Sequence, residues 1–341
     1  MVSLDDPHSD SFIIFHLGRH PCHVTSDVTC TLENNQTGNE PLTRKISWDT
    51  VQMERRQRMT QTCAIFNRHG NMTSSGLMDV LIDNNNIIID NVHRVLFCAI
   101  PKAACSSWKA ALALLTEKVS NTSRGLFKSI HFPDFMAKIG LHSPRDLNES
   151  RLHTAVENYT NILVVRHPFA RLLSAYKDKF LTYNKWTKHF QFKYGRKIAL
   201  LYRGDAVTRE SLLRGDDVTF EEFLRYIVDE TVPFIERSNP HWNTYHHLCH
   251  PCIIPYNHVI KFETLDEDNA VVLGRHFDVR DASLFFPKRN MKRVPSRDIM
   301  AEYYSKIPRS LIYQIYDFYR EDMQLFGYEL SADILPEVNN S

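Results

Sequence analysis

Two short stretches of this 341-residue chain combine a basic residue with hydroxyl groups where a strand would turn into a helix. The first follows an apolar strand and reads Pro101-Lys102-Ala103-Ala104-Cys105-Ser106-Ser107-Trp108. N–H groups at the start of a helix attract anions, and Lys102 adds a positive charge. The stretch therefore predicts a site for a tetrahedral oxyanion, held by Lys102, Ser106 and Ser107. Taken alone, it also fits an ordinary turn with N-capping serines.

The second stretch places Arg166 at the end of another apolar strand and Ser174 in the helix that follows. Arg171 lies three residues before Ser174, so both face one side of that helix. Arginine and serine together suit a phosphate, although a salt-bridged helix with an exposed serine has the same pattern. Two such sites in one chain predict a ligand with two separated anionic groups.

The first stretch does not resemble the phosphate loop of nucleotide hydrolases. That loop reads G-x-x-x-x-G-K-[ST], and no glycine occurs between Arg94 and Ser123. A kinase of similar architecture would need such a loop and magnesium. The sequence therefore disfavours kinase activity and predicts no metal site.

Short apolar strands alternate with helices after about residue 87. In chain order the predicted elements are strand 95–100, helix 106–119, strand 162–165, helix 168–182, helix 220–228, strand 258–262 and helix 308–325. This pattern predicts an α/β fold with a central parallel sheet flanked by helices, in a domain spanning 87–341. Residues 1–86 read as a polar, stem-like segment with one helix over 48–66. Residues 188–217 fit no clear element and are interpreted as an inserted, substrate-facing segment.

Charge is unevenly distributed along the chain, although the net charge is only +1. Residues 166–197 contain nine Lys or Arg residues, eight aromatic residues and a single acid, Asp178. A basic, aromatic-rich surface favours a polyanionic partner, while a solvated helix face packed on its aromatics is the alternative. A second basic stretch could close over a cofactor or meet an anionic glycan, or simply be a solvated loop: Lys288, Arg289, Lys292, Arg293 and Arg297.

The cysteines and N-glycosylation sequons give information about the cellular compartment in which the protein works. Six N-x-S/T sequons exceed the roughly two or three expected by chance, which favours a secretory compartment. The seven cysteines are an odd number, and Cys98 is expected to be a buried small hydrophobe in its strand. Cys249 and Cys252 lie among several histidines, and we expect a disulfide there rather than zinc because no second paired set follows.

The two opening stretches resemble a known family. Pro101-Lys102-x-Ala104-Cys105-Ser106-x-Trp108-Lys109 and Arg166-x-Pro168-Phe169-x-Arg171-Leu172-x-Ser174-Ala175-Tyr176 are similar to the two cofactor motifs of Golgi carbohydrate sulfotransferases. The similar group holds the chondroitin and dermatan 4-O-sulfotransferases and the glucuronyl 3-O-sulfotransferase. Later stretches resemble the same group in the same order: His241-Trp242, Leu248-Cys249-x-Pro251-Cys252, Tyr256, Lys261-Phe262-Glu263-Thr264-Leu265 and Leu325-Phe326-Gly327-Tyr328.

The resemblance implies a P-loop-like sulfotransferase fold and transfer of a sulfuryl group from 3'-phosphoadenosine 5'-phosphosulfate to a glycan hydroxyl. The acceptor would be chondroitin- or dermatan-type N-acetylgalactosamine at O4 or a terminal glucuronyl residue at O3. The residues implied to bind the donor are Lys102, Ala103, Ala104, Cys105, Ser106, Ser107 and Trp108 around the phosphosulfate and Arg166, Arg171 and Ser174 around the 3'-phosphate. No nucleic acid partner is expected.

A catalytic base must also take the proton of the acceptor hydroxyl, and histidine suits this role near neutral pH. His131 is the first choice because the family carries a similar histidine after the first helix. His241 is the second choice, and it could equally be a structural residue beside the Cys249–Cys252 loop. The family implies a type II membrane protein of the Golgi lumen. No anchor is visible in this sequence, so an N-terminally incomplete sequence or a soluble form is expected.

Three positions depart from the family pattern. Ser107 stands where the family usually has asparagine, His167 where it has an acid, and Ala103 where it often has valine. Ser107 can still donate to a phosphate, whereas His167 removes a negative charge near the second anion site. A catalytically silent relative that binds glycan or nucleotide is the alternative function.

Overall fold

The computed structural model describes residues 29–30, 44–45, 47–68, 74–82, 84–119, 124–182, 184–286, 297–331 and 334–335. The strands are β1 (Thr29–Cys30), β2 (Arg44–Lys45), β3 (Ile87–Asp90), β4 (Val95–Cys98), β5 (Leu141–His142), β6 (Thr160–Val165) and β7 (His258–Lys261). Residues 1–51 and 52–341 form separate compact units. In the first, β1 pairs antiparallel with β2. The predicted boundary between residues 86 and 87 stays a prediction.

Helices make up most of the remaining described structure. Those before the middle of the chain are α1 (Trp48–Ile65), α2 (Ser74–Leu81), α3 (Cys105–Leu115), α4 (Arg124–Ser129), α5 (Pro133–Lys138), α6 (Glu149–Asn158) and α7 (Pro168–Lys179). Those after it are α8 (Lys188–Phe190), α9 (Arg196–Arg203), α10 (Arg209–Arg214), α11 (Phe220–Val228), α12 (Phe234–Arg237), α13 (Tyr245–Cys249), α14 (Leu265–Phe277), α15 (Ala282–Phe285), α16 (Arg297–Tyr304), α17 (Arg309–Phe318) and α18 (Arg320–Phe326). A π-helical turn, Gln191–Gly195, joins α8 to α9.

The central sheet is mixed rather than wholly parallel. Its strand order is β5-β3-β4-β6-β7, and β4, β6 and β7 run parallel as the sequence predicts. β3 pairs antiparallel with β4 through a four-residue turn, and β5 pairs antiparallel with β3. Such a short connection can only join antiparallel strands, because a parallel pair needs a long crossover. The α/β fold is confirmed, with an antiparallel edge added to its parallel centre.

Apolar runs explain why β4 and β6 lie in the middle of the sheet. All four residues of β4 are buried, as are the last five of β6, so both faces of these strands are covered. Buried parallel strands have this continuous apolar pattern. Aromatic and aliphatic side chains of α7, α11 and α17 form a large core that includes Phe169, Phe223 and Ile315.

The predicted helices are present, with shorter ends. The expected helix 106–119 begins at Cys105 and ends at Leu115, and 168–182 ends at Lys179. The expected helix 308–325 is two helices, α17 and α18, that meet at Tyr319. Residues 188–217 are ordered as α8, the π turn, α9 and α10, which sequence periodicity alone does not indicate.

Helix α1 lies along β7, at the edge of the sheet. Gln52 is buried; its amide nitrogen donates to the Val259 carbonyl and its amide oxygen accepts from the Val259 N–H. Arg55 donates to the same carbonyl and pairs with Asp268 at 2.7 Å. Side chains of α1 thus satisfy backbone groups that an edge strand would leave unpaired.

Two disulfides connect distant parts of the chain. Cys63 of α1 is bonded to Cys252, and Cys98 of β4 is bonded to Cys249 of α13. The expected disulfide around Cys249 and Cys252 is confirmed. Cys98 is fully buried as expected, but its interpretation as a plain hydrophobe is wrong because its sulfur is oxidised. Sequence cannot reveal such pairing, since the partners lie 189 and 151 residues apart.

Candidate functional site

The two predicted anion sites lie at the same edge of the sheet, because β4 and β6 are adjacent parallel strands and each is followed by a helix at its carboxyl end. In the turn after β4, Lys102 and Ala104 adopt positive φ angles of 71° and 58°. Residues other than glycine rarely adopt this left-handed conformation, and it is concentrated at functional sites.

The start of α3 has N–H groups available for an anion. Ala104 at the N-cap offers no capping side chain, and the Trp108 N–H is bonded to the Ala104 carbonyl at 3.0 Å. The N–H groups of the preceding turn belong to residues 105–107, and a helix cannot satisfy these itself. The half-buried hydroxyl of Ser106 lies in that turn. The local geometry therefore fits the oxyanion site that the sequence predicts.

Lys102 is held by an acidic residue of the second motif's helix. Its ammonium lies 3.1 Å from Oδ2 of Asp178, which also pairs with Lys179 at 3.1 Å. Burial lowers the pKa of Lys102 despite the opposing effect of Asp178. Burial would raise the pKa of Asp178, but Lys102 and Lys179 together lower it. The site thus holds two cations and one carboxylate, with net positive charge.

Arg166 connects the two turns. Its Nη1 donates to the Lys102 carbonyl at 3.2 Å, and its guanidinium lies 4.4 Å from the ring centroid of Phe262. The side chain is 4% exposed, and Nη2 has no hydrogen-bond partner among the described residues. Burial lowers the pKa of Arg166, and Glu263 opposes that effect. A buried guanidinium nitrogen without an acceptor is costly, so it fits a site completed by an anion.

Tyr245 fixes the backbone at Arg166. Its hydroxyl accepts from the Arg166 N–H at 2.9 Å and donates to the Arg166 carbonyl at 2.7 Å. The N–H of Tyr245 in turn donates to Asp322 at 2.8 Å, and both residues are completely buried. The end of β6 is therefore fixed by side chains from α13 and α18.

Three residues expected near the ligand serve the protein interior instead. Arg171 is buried, and its guanidinium donates to the carbonyls of Pro101, Pro240 and Asn243, so it positions the first turn rather than presenting charge. Trp108 and Ala103 have no exposed surface. The indole of Trp108 stacks on Phe97 with ring centroids 5.3 Å apart. From residue type alone, the sequence cannot tell whether such a residue contacts the ligand or supports the residues that do.

The remaining expected residues lie around the same turn. Cys105, the free cysteine of the described chain, is half-buried with its sulfur 4.0 Å from the Ser106 hydroxyl. Ser107 is buried beside it, and Ser174 is half-buried in α7. Nε2 of His131, which is otherwise exposed, lies 3.3 Å from Oγ of Ser106. The structure thus brings the first-choice histidine to the start of α3.

His241 lies close enough to Lys102 and Lys179 to feel their charges. Its Nδ1 donates to Oδ1 of Asn239 at 2.8 Å, which leaves Nε2 as the acceptor of a neutral ring. Burial lowers the pKa of His241 well below its usual value, and the charges of Lys179 and Lys102 lower it further. The ring also contacts Phe190 edge to face, with centroids 5.0 Å apart. His241 is therefore neutral at pH 7 and able to accept a proton.

His167 caps helix α7 at the position where the family pattern has an acid. Its Nε2 donates to the Glu329 carbonyl at 2.9 Å, so Nδ1 can accept from the Phe169 N–H and cap α7. Burial lowers its pKa, which favours this neutral form. Glu263 accepts from the His167 N–H at 2.9 Å. A carboxylate is therefore present beside Arg166 although position 167 lacks one.

Sequence reasoning missed Asp178, Lys179, Tyr245 and Glu263 as members of the site. Asp178 carried a signal, because it is the single acid in a strongly basic stretch. The others look like ordinary helix or loop residues. The basic stretch 288–293 lies outside the described residues, and Arg297 begins α16.

Two further observations on the described residues concern metal binding and membrane-spanning helices. No group of three or more His, Cys, Asp or Glu side chains is arranged to hold a metal ion there. No helix in the described ranges is both long and apolar enough to cross a membrane.

Comparisons with known proteins agree with this geometry. Residues 85–329 match the profile of the sulfotransferase family. The chain is 33% identical over 280 residues to carbohydrate sulfotransferase 11 of Rattus norvegicus, covering 81% of this chain and 75% of that protein. It is 33% identical over 246 residues to carbohydrate sulfotransferase 14 of Danio rerio, covering 72% and 62% respectively. It is 30% identical to carbohydrate sulfotransferase 8 of Homo sapiens, covering 84% and 64%. No solved structure matches.

Proposed function

Because this chain belongs to the sulfotransferase family and is an enzyme of that class, we propose that it transfers a sulfuryl group from 3'-phosphoadenosine 5'-phosphosulfate to a glycan hydroxyl. The family predicted from the two motifs is confirmed. The observation that carries the proposal is the position of Arg166, whose buried Nη2 has no hydrogen-bond partner in the described part of the chain, while Nη1 donates to the Lys102 carbonyl. One arginine therefore connects two cationic sites at one sheet edge, which suits a donor with two anionic ends.

The chain's residues fit the two ends of this donor. Arg166 and Ser174 would contact the 3'-phosphate, since both belong to the second strand-to-helix unit. Lys102, Ser106 and Ser107 would contact the 5'-phosphosulfate at the start of α3, where the helix N–H groups add to the binding. Arg171, Trp108 and Ala103 would act on the donor through the position of the two turns, because Arg171 donates to protein carbonyls and the other two side chains are buried among protein atoms.

The chemistry needs charge stabilisation and one proton acceptor. The acceptor oxygen forms a bond to sulfur while the bond from sulfur to the phosphate oxygen breaks, and the hydroxyl proton passes to a histidine. Lys102 would neutralise charge that develops on the departing phosphate oxygen. Its salt bridge with Asp178 keeps the ammonium in place before the reaction.

His131 remains the proposed base. It is exposed to an incoming acceptor and its Nε2 already reaches the Ser106 hydroxyl, next to the proposed phosphosulfate site. His241 is the second candidate because its neutral Nε2 lies near Lys102. The low pKa of His241 makes it a weaker base, which favours His131.

The acceptor and compartment follow from the relatives. Carbohydrate sulfotransferases 11, 14 and 8 are named for action on carbohydrate, so a glycan acceptor is proposed here. N-acetylgalactosamine O4 in chondroitin or dermatan, or a terminal glucuronyl O3, are the hydroxyls to test. The two disulfides support an oxidising compartment such as the Golgi lumen, with the family's membrane anchor as a further proposal.

The decisive experiment offers radiolabelled donor and a panel of acceptors. Desulfated chondroitin, desulfated dermatan and a glucuronyl-terminated oligosaccharide should be included, and at least one should be labelled. Product digestion into disaccharides would identify the sulfated hydroxyl. Donor binding measured by calorimetry without any transfer would contradict the proposal and indicate a catalytically silent relative.

A further inference from the structure

The exposed segment after α7 carries positive charge that nearby acids do not neutralise. Residues 184–196, called the basic segment below, contain four basic residues and no Asp or Glu. Within the described chain, none of the four lies within ion-pair distance of a carboxylate: Lys185, Lys188, Lys193 and Arg196. The segment therefore presents a local field of one sign.

Four of the five Lys and Arg residues at 197–225 are paired with carboxylates in the described chain, the exception being Arg209. The four pair as follows: Lys197 with Glu236, Arg203 with Asp217 and Glu222, Arg214 with Asp216 and Arg225 with Glu221. Along the described chain, cations that lack a carboxylate partner at 184–196 are thus followed by mostly paired cations at 197–225. Solvation of charged helices in general does not explain this division, because both groups are solvent-accessible.

Exposed aromatic rings hold the unpaired cations in place. Trp186 is 54% exposed and Phe192 is 39% exposed, although large aromatic side chains are usually buried. The Lys185 ammonium lies 4.9 Å from the Trp186 ring centroid, and Arg196 lies 4.7 Å from that of Phe192. Such cation–π pairs restrict flexible side chains. Their ring faces also offer apolar area for the C–H faces of sugar rings.

The middle of the basic segment contacts the candidate reaction centre. Phe190 lies within the segment, and the Lys179 ammonium is 4.4 Å from its ring centroid. The same ring contacts His241 at 5.0 Å. An elongated ligand bound along the segment would therefore pass beside the cluster of Lys179, Lys102 and His241.

We propose that the basic segment is the binding surface for the acceptor as an anionic polysaccharide chain, contacting sugars beyond the one that is sulfated. This inference rests on the proposed function, because it takes the ligand to be the enzyme's acceptor. The surface would favour long, carboxylated or sulfated chains over short acceptors, since several weak charge contacts add up only along a polymer. A nucleic acid would also satisfy the charge, so it is included as an outcome of the test.

The test compares two variants that each lose three exposed positive charges. The first is Lys185→Gln/Lys188→Gln/Lys193→Gln. The matched control is Arg214→Gln/Arg225→Gln/Arg320→Gln, whose arginine side chains are each about half exposed and pair with acids in their own helices or turns. Fluorescence anisotropy would measure binding of a labelled chondroitin polymer without donor, at low and physiological salt. Steady-state kinetics would compare the polymer with a chondroitin trisaccharide.

The lysine variant should bind the polymer about tenfold more weakly at low salt, with a smaller salt dependence, and its KM for the polymer should rise similarly. The lysine variant should lose much less affinity for the trisaccharide. The control variant should bind both acceptors as tightly as the wild-type protein does. The inference would be overturned if the lysine variant and the control variant bound the polymer with the same affinity. It would also be overturned if single-stranded DNA bound as tightly as the polymer and depended on the same lysines. Lysine-dependent polymer binding without sulfation would contradict the proposed function while supporting the surface.

Discussion

The guanidinium of Arg166 contacts two parts of the protein and also has a nitrogen left for a ligand. It donates to the Lys102 carbonyl, lies against Phe262, and its Nη2 has no partner among the residues that the structure describes. A buried cation in this state costs stability unless an acceptor completes it. Donor binding and local stability are therefore coupled at this residue.

Removal of the first-turn lysine should slow catalysis. Lys102→Ala removes the charge proposed to neutralise the departing phosphate oxygen and leaves Asp178 with Lys179 alone. We expect kcat to fall by about 10²-fold or more, as for loss of one oxyanion-stabilising donor. Steady-state kinetics with saturating donor would measure this. Lys118→Ala, at an exposed lysine outside the site, serves as the control and should keep wild-type kcat.

Substitutions in the second motif should weaken donor binding. Arg166→Lys keeps the charge but cannot reach both the Lys102 carbonyl and an anion, so the donor Kd should rise roughly 10- to 100-fold. Ser174→Ala removes one neutral hydrogen bond and should raise Kd only a few-fold. Isothermal titration calorimetry with the desulfated product nucleotide measures both. Wild-type affinity in both variants would refute the 3'-phosphate assignment.

The two histidines can be separated by variants and pH. If His131 is the base, His131→Ala lowers kcat by about 10²-fold with a nearly unchanged donor Kd, and His241→Ala has a smaller effect. A base acts only when deprotonated, so activity falls as pH drops through its pKa. Burial and nearby lysines lower the pKa of His241, so catalysis by His241 would persist to lower pH than ordinary histidine catalysis. The pH at which kcat falls on the acidic side of its pH profile therefore distinguishes the two histidines.

At the scale of elements, β4–α3 and β6–α7 repeat one strand-to-helix unit side by side. The sequence predicted both units, because each apolar run is short and ends at a Pro-containing turn. The predicted elements did not include β3 and β5, although the four-residue connection of β3 to β4 requires antiparallel pairing; the direction of β5 depends on its tertiary partner. The contact of Lys102 with Asp178 was also hidden, because it depends on how α7 lies beside the first turn.

Helix α13 supports the second unit through Tyr245. Tyr245→Phe leaves the Arg166 N–H and carbonyl without their partner, which should lower stability by about 1–3 kcal/mol and weaken donor binding. Tyr256→Phe is the matched control, because its buried hydroxyl donates to the Cys249 carbonyl and does not touch Arg166. Chemical denaturation and donor titration together test the point. Similar losses of donor affinity in both variants would contradict a specific positioning role.

Across the whole molecule, buried histidines should make the fold sensitive to acid. Burial lowers the pKa of His246, His250 and His258 to about 4, from about 6.5 when unfolded. Between those values the unfolded chain binds more protons, so stability falls as pH falls. Burial raises the pKa of Asp322 to about 7, which acts oppositely over all of that range, but three histidines outweigh one aspartate. The Tm should be lower at pH 5 than at pH 7.5, and an equal or higher value would contradict this account.

The disulfide pattern has a consequence for biosynthesis. Cys63 and Cys98 are translated 189 and 151 residues before their partners Cys252 and Cys249. When the chain enters an oxidising compartment during its synthesis, the thiols of Cys63 and Cys98 are exposed to oxidant before their native partners have been synthesised. Any bond they form with each other must later be exchanged, through mixed disulfides that rearrange over seconds to hours. The yield of active enzyme is therefore set by thiol exchange late in translation, and a disulfide isomerase in the producing cell should raise it.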